Sequence, residues 1–235
     1  MIVIFASRYD LSASSLAERW THHNASLLTC DDLSVAGWRH YLNSEEVSTA
    51  VVSGRVVPVN DITGVLIRWP AVFEQELTNI SLADRSYVSR EMMAFLVSWF
   101  SSLGCPVINH PTPVNLTGPA WRVEQWNYVA ARLGIPVRTT RRHVARNPDR
   151  HEQNVHPTRA IVTVVGSRCF GDVEAPLLEQ ARRLSEAAGV SLLNVGFTDR
   201  ETGSFFAGVD LLPTLSDETT DALLELLLGQ EANPS

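Results

Sequence analysis

Residues 2–6 read IVIFA, an unbroken apolar run, followed at once by the polar turn SRYD and then by helical spacing of apolar residues over 12–20. A strand that is apolar at every position has both faces covered, and strand, turn and helix in that order begin a parallel α/β sheet. The same reading continues down the chain. Residues 26–30 form a second short strand, and 48–52 and 55–59 flank Ser53-Gly54 as a hairpin. Residues 64–68 (GVLIR) give another buried strand, stopped by Pro70. Leu82, Val88, Met92, Phe95, Leu96, Trp99 and Leu103 recur mostly at three or four, which predicts a long helix closed by Gly104.

Further strands are expected over 106–109, 160–165, 191–197 and 204–209. Helices are expected from Pro119 to Leu133, from Ala175 to Ala188 and from Asp217 to Leu228. Between 138 and 157 the pattern fails. Five arginines, three histidines and two prolines with little apolar periodicity read as a loop or insertion. The expected division is a parallel-sheet domain over 1–112 and an α+β part over 113–235 carrying the arginine-rich loop at 138–157.

Composition narrows the function classes. With 45% hydrophobic and 19% charged residues the chain has the makings of real cores. Its longest apolar run, Met92 to Phe100 broken only by Ser98, is far short of the roughly 20 residues a membrane span needs. The N-terminus has no basic segment before its apolar residues and no small-residue cleavage site after them, so a cytoplasmic location is expected. A net charge of -7 argues against general nucleic-acid binding. Cys30, Cys105 and Cys169 are widely spaced in apolar surroundings and read as small hydrophobes. All 19 basic residues are arginine. No step that needs a lysine, as a Schiff base or a phosphate grip, can run on this chain alone.

Glycine-rich phosphate loops, GxSxG elbows and metal-ligand spacings of Cys or His are absent from the sequence. His151, Glu152 and His156 come closest to a zinc pattern, but an i+5 spacing does not share a helix face. Arg68 follows VLI and Asn109 follows PVI, both at carboxyl ends of predicted strands, where open α/β sheets place their ligands. Glu91 lies beside the apolar stripe of the long helix. Arg68 and Glu91 form either a buried structural pair or a carboxylate pocket built on Arg68. Arg138, Arg141, Arg142, Arg146 and Arg150 form either a solvated loop or a bidentate grip for a phosphate or an acidic peptide.

The opening IVIFASRYDLSASSLAERW, the strand GVLIRWP, the long helix with Glu91, VINHPTP and WRVEQWNYVAARLGIPVRTT resemble in order and spacing the microviridin-type ATP-grasp ligases. These are RimK-like enzymes that form ester or amide crosslinks in ribosomal peptides. AIVTVVGSRCF and VGFTDRETGSFFAGVDLLPTL are similar to the same family's late strand and metal-bearing hairpin. The resemblance covers most of the chain and implies a fold. That fold is a pre-ATP-grasp-like parallel-sheet domain followed by a reduced α+β ATP-grasp-like part, lacking the small nucleotide-covering subdomain.

The departures matter as much. Where the family has a lysine before its GIPV-like turn, this chain has Arg122 and Val123, and the interval between Thr140 and Arg159 is too short for the subdomain with the second lysine. The metal-bearing hairpin matches Phe206, Ala207, Gly208, Val209 and Asp210, so Asp210 is left as a weak metal candidate. The resemblance with its losses implies a catalytically degenerate relative that needs no cofactor. It would bind a peptide or small carboxylate through Arg68, Glu91, Asn109, Arg122, Arg138, Arg141 and Arg142. Or it would pair with a protein partner or a second copy through the open face that the missing subdomain leaves. The alternatives are an enzyme using the cleft without ATP, with Arg68 and Glu91 catalytic, and a divergent active carboxylate-amine ligase. ATP and magnesium belong only to the latter.

Overall fold

The structure, a computed structural model, describes residues 1–42, 47–138, 160–198 and 204–230. It divides into two compact units, Met1–Ala120 with Thr214–Ser235, and Trp121–Pro213.

The first unit is built on four parallel strands, β1 (Ile2–Phe5), β2 (Ser26–Leu28), β5 (Gly64–Ile67) and β6 (Val107–Ile108), in the order β2-β1-β5-β6. Val3 lies opposite Ser26 on one side and Val65 on the other, and every residue of β1 and β5 is buried. This is the both-faces-covered strand expected from IVIFA and GVLI. Helix α1 (Leu11–Arg19) follows β1, and α2 (Arg85–Ser102) follows β5. Strands β3 (Thr49–Val52) and β4 (Arg55–Pro58) make the expected hairpin through Ser53 and Gly54. The core gathers Phe5, Leu28, Ile67, Leu96, Trp99 and Phe100, with Phe5 and Phe100 edge to face at 5.7 Å.

The second unit is an antiparallel sheet of β7 (Ala160–Val165), β8 (Arg168–Phe170), β9 (Leu192–Phe197) and β10 (Phe206–Asp210), ordered β10-β9-β7-β8. Helices α3 (Val123–Arg132) and α4 (Ala175–Ala188) bury Trp126, Ala130, Leu177, Ala181 and Leu184 against Val162, Val195 and Phe197. Gly189 closes α4 with φ 64°, the left-handed cap that glycine supplies without strain.

The last helix, α5 (Asp217–Leu227), belongs to the first unit. It rests on β5 at Gly64, where a Cβ would stand 2.5 Å from the Leu227 carbonyl oxygen. Arg19 of α1 pairs with Asp217 and, at 2.8 Å, with Asp221. The division expected at 112/113 therefore falls at 120/121, and α5 leaves the part to which 113–235 assigned it. The long helix also begins at Arg85, three residues after Leu82. The helix placed after Pro119 begins at Val123, with Arg122 as its cap and Pro119 outside. Strand β8 is an addition to the sequence reading.

Candidate functional site

In the order β2-β1-β5-β6 the chain steps from β1 to one side and later crosses to the other, so the strand order reverses between β1 and β5. Parallel sheets bind ligands outside the carboxyl ends of their strands at that reversal. The polar residues directly after the strands meet here. Ser7, Arg8 and Asp10 follow β1, Asp31 follows β2, and Arg68 follows β5.

Arg68 has a side chain only 10% exposed, and its Nε donates to Asp10 Oδ2 at 3.0 Å. Asp10 is the N-cap of α1, its Oδ1 accepting from the Ala13 N–H at 3.0 Å. One carboxylate thus satisfies an orphan helix donor and fixes the guanidinium. Arg68 Nη1 and Nη2 carry no hydrogen bond among the described residues and are not sealed from the surface.

Beside this pair Arg8 draws three segments together. Its Nη groups meet both oxygens of Asp31 at 2.7 and 2.8 Å and the Glu76 carbonyl at 2.7 Å. Glu76 is buried, with Oε1 accepting from Ser7 Oγ at 2.8 Å and Oε2 lying 3.7 Å from Arg8 Nε. At that separation the two atoms attract by charge without a hydrogen bond. Cys30 sits next to them, and burial, assisted by Glu76, pushes its thiol up to about 12. It is inert as a nucleophile at neutral pH.

The residues named from sequence separate on this frame. Arg68 and Asn109 lie at the carboxyl ends of neighbouring strands, as expected. Asn109 is 2% exposed, and its amide donates to the Thr117 carbonyl at 3.2 Å, so it pins its own loop instead of facing a ligand. Glu91 is exposed on α2, and the partner of Arg68 is Asp10, so the Arg68–Glu91 pair is corrected. Helix α2 turns Ser89, Leu96, Trp99 and Phe100 inward and leaves Glu91 on its outer side. In the second unit Arg122 caps α3 and is exposed, its N–H donating to Gln125 Oε1 at 2.9 Å. Arg138 lies over the Phe205 ring at 5.0 Å. Arg141, Arg142, His151 and His156 lie outside the described residues.

Asp210 ends β10 exposed, with Oδ1 accepting from the Leu212 N–H at 2.9 Å. Its strand partner is Asn194, and Gly208 lies opposite Gly196. Among the described residues no group of three His, Cys, Asp or Glu side chains is placed to hold a metal ion. The residues of this strand do not fit a magnesium site, because hard cations need several oxygen donors and Gly208 has none to give.

Sequence reasoning missed Ser7, Arg8, Asp10, Asp31 and Glu76. The signal for Arg8 and Asp10 was present in SRYD, the turn that leaves the first strand. Glu76 carries no such mark, since a glutamate in a loop is ordinarily solvated. A groove of about 710 Å³ lies at the opposite edge of the sheet, lined by Asn24, Ser53, Arg55, Asp61 and Thr63 among others, and holds none of the predicted site residues.

The fold has counterparts among solved structures. The macrocyclase MdnC from Microcystis aeruginosa, bound with its precursor peptide MdnA, superposes with a TM-score of 0.67 at 11% identity, covering 97% of this chain and 100% of that one. A RiPP-associated ATP-grasp ligase from Chryseobacterium gregarium, in complex with ADP and a leader and core peptide, gives 0.69 at 10% identity, covering 98% and 97%. This chain has the ATP-grasp ligase fold. A RimK domain ATP-grasp protein from Sphaerobacter thermophilus extends the likeness, with a TM-score of 0.55 at 17% identity over 97% and 99% of the two chains. No protein-family model and no curated protein matches the sequence. At these identities the ATP-grasp likeness is one of fold, and it bears out the parallel sheet followed by an α+β part. No helix among the described residues is long and apolar enough to cross a membrane.

Proposed function

We propose that this chain binds a peptide in a peptide-modification setting and does not itself form an acyl phosphate. The observation that carries the reading is the side-chain set on β10. ATP-grasp chemistry makes an acyl phosphate, which needs cations on the nucleotide phosphates and clustered carboxylates on magnesium. This chain contains no lysine, and β10 offers a single exposed carboxylate already engaged by a backbone N–H. The peptide half of the reading is supported by the precursor peptides bound to MdnC and to the Chryseobacterium ligase. It is supported again by apolar side chains standing exposed on the loops that leave the parallel strands. Tyr9, Phe73, Leu82 and Val114 are all of this kind, and exposed apolar side chains suit a polypeptide.

A thermal-shift titration tests the reading. The expected outcome is no stabilisation by millimolar ATP with magnesium and a saturable one by a short acidic peptide. A ligand at 100 times its dissociation constant stabilises by about 2.7 kcal/mol, which is readily measured. Stabilisation that requires ATP and magnesium together overturns the proposal. It would favour an active ligase in which Arg122 and the arginines of 138–157 stand in for lysines.

A further inference from the structure

We infer that Arg68 is the floor of a carboxylate-binding subsite at the β1/β5 reversal of the parallel sheet. The inference rests on the reading of this face as the ligand face and names the chemistry it recognises. A guanidinium has five N–H donors in a rigid fork, and a side chain that is nine-tenths buried ordinarily has its donors met by the protein. Arg68 meets only one of them. Asp10 takes Nε at 3.0 Å, and Nη1 and Nη2 have no partner among the described residues while still open to the surface. The fork is therefore held at its base and free at its tip. That is the geometry in which two parallel N–H groups receive both oxygens of a planar oxyanion.

The fixing is thorough. The Arg68 N–H donates to the Phe5 carbonyl at 2.8 Å, which joins its backbone to β1. Asp10 is itself fixed by its N-cap bond to Ala13, so the arginine does not have to be ordered when a ligand arrives. Lys or Gln at the same place would supply a charge or a hydrogen bond but no fork.

Carboxylates and phosphates share this chemistry, and the surrounding charge separates them. On this edge Arg8 and Arg68 face Asp10, Asp31 and Glu76, two cations against three carboxylates. A neighbourhood that is already negative by one charge opposes a dianionic phosphate more strongly than a singly charged carboxylate. The exposed apolar side chains of the same loops suit a carboxylate carried on a peptide.

The test uses the full chain labelled with 15N-arginine, in which the Arg68 Nε–H resonance is assigned by its disappearance in Arg68→Gln. N-acetylglutamate α-amide, its glutamine isostere and inorganic phosphate are titrated separately. The expected result is a saturable shift of that resonance with the carboxylate, none with the isostere, and at least tenfold weaker binding of phosphate. Calorimetry with the same carboxylate probe should show at least a tenfold loss of affinity in Arg68→Lys, with the melting temperature retained. An absent shift, an equal shift with the isostere, or undiminished affinity in Arg68→Lys overturns the inference. Tighter binding of phosphate overturns the carboxylate assignment. If Arg68→Gln fails to fold, Arg68→Lys supplies the assignment. ATP-dependent stabilisation would overturn the proposed function and leave this subsite standing, whereas an acidic peptide that binds equally to Arg68→Lys overturns the subsite alone.

Discussion

The first unit buries ionic groups at the carboxyl ends of its strands, whereas the ion pairs described in the second unit lie on the outside of α4. Glu76 is held inside by Ser7 and faces Arg8, and Arg68 is held by Asp10. Arg182 of α4, itself half-buried, instead bridges the exposed Glu179 at 2.7 Å and the exposed Glu186 in the familiar i,i+3 and i,i+4 pattern. Burying charge costs desolvation that surface pairs do not incur, so a fold that carries a buried set on one sheet edge has that edge arranged around it. The difference is one of placement: the ionic groups with little exposure, Glu76 and Arg68, stand at the sheet edge of the first unit, whereas the Arg182 pairs stand on a helix surface.

Four measurements would break or sharpen that contrast. Arg8→Ala leaves Glu76 buried without its cation and frees Asp31, and the expected loss is about 3–5 kcal/mol by urea denaturation. A smaller loss than an average surface substitution would show that the network is dispensable. Cys30 gives the next effect. Its folded value of about 12 lies above the ordinary 9.0, so between those values the folded chain holds a proton that the unfolded chain has released. Stability from this group is complete below pH 9 and falls as pH rises towards 12, so the melting temperature should fall across that range, and less steeply in Cys30→Ala. The same protonation predicts that Cys30 resists iodoacetamide at pH 8 in the folded chain and reacts in urea, read by mass spectrometry. The smallest effect belongs to Arg182→Ala, whose urea midpoint should coincide with that of the unsubstituted chain, because exposed pairs contribute little.

The strands that are apolar on both faces were legible because burial leaves no other composition open to them. IVIFA and GVLI are found in register on one parallel sheet. Arg68 was legible for a related reason, since a charged residue directly after such a strand falls on the edge where ligands bind. Its partner was not. Asp10 and Glu91 are both carboxylates at plausible distances along the chain, and only the turn after β1 decides between them. Strand β8 was missed although Gly166-Ser167 between two apolar runs is a hairpin signal, and Gly166 does take the positive φ of 59° that such a turn uses. The return of α5 to the first unit could not be read at all, since an amphipathic helix announces that it has a buried face and not which sheet will cover it.

That return has a consequence for how the chain reaches its folded state. The groove over Gly64 is filled by a helix more than 150 residues further along the sequence, so during synthesis the first sheet emerges with one of its surfaces uncovered. The second unit, continuous from Trp121 to Pro213, needs no element from outside its own segment. Contacts of long sequence separation form late because the loop must close before they reward it. The earlier half of the chain is therefore the later to be completed. Until α5 arrives, the apolar floor beneath it is the surface most exposed to misassociation.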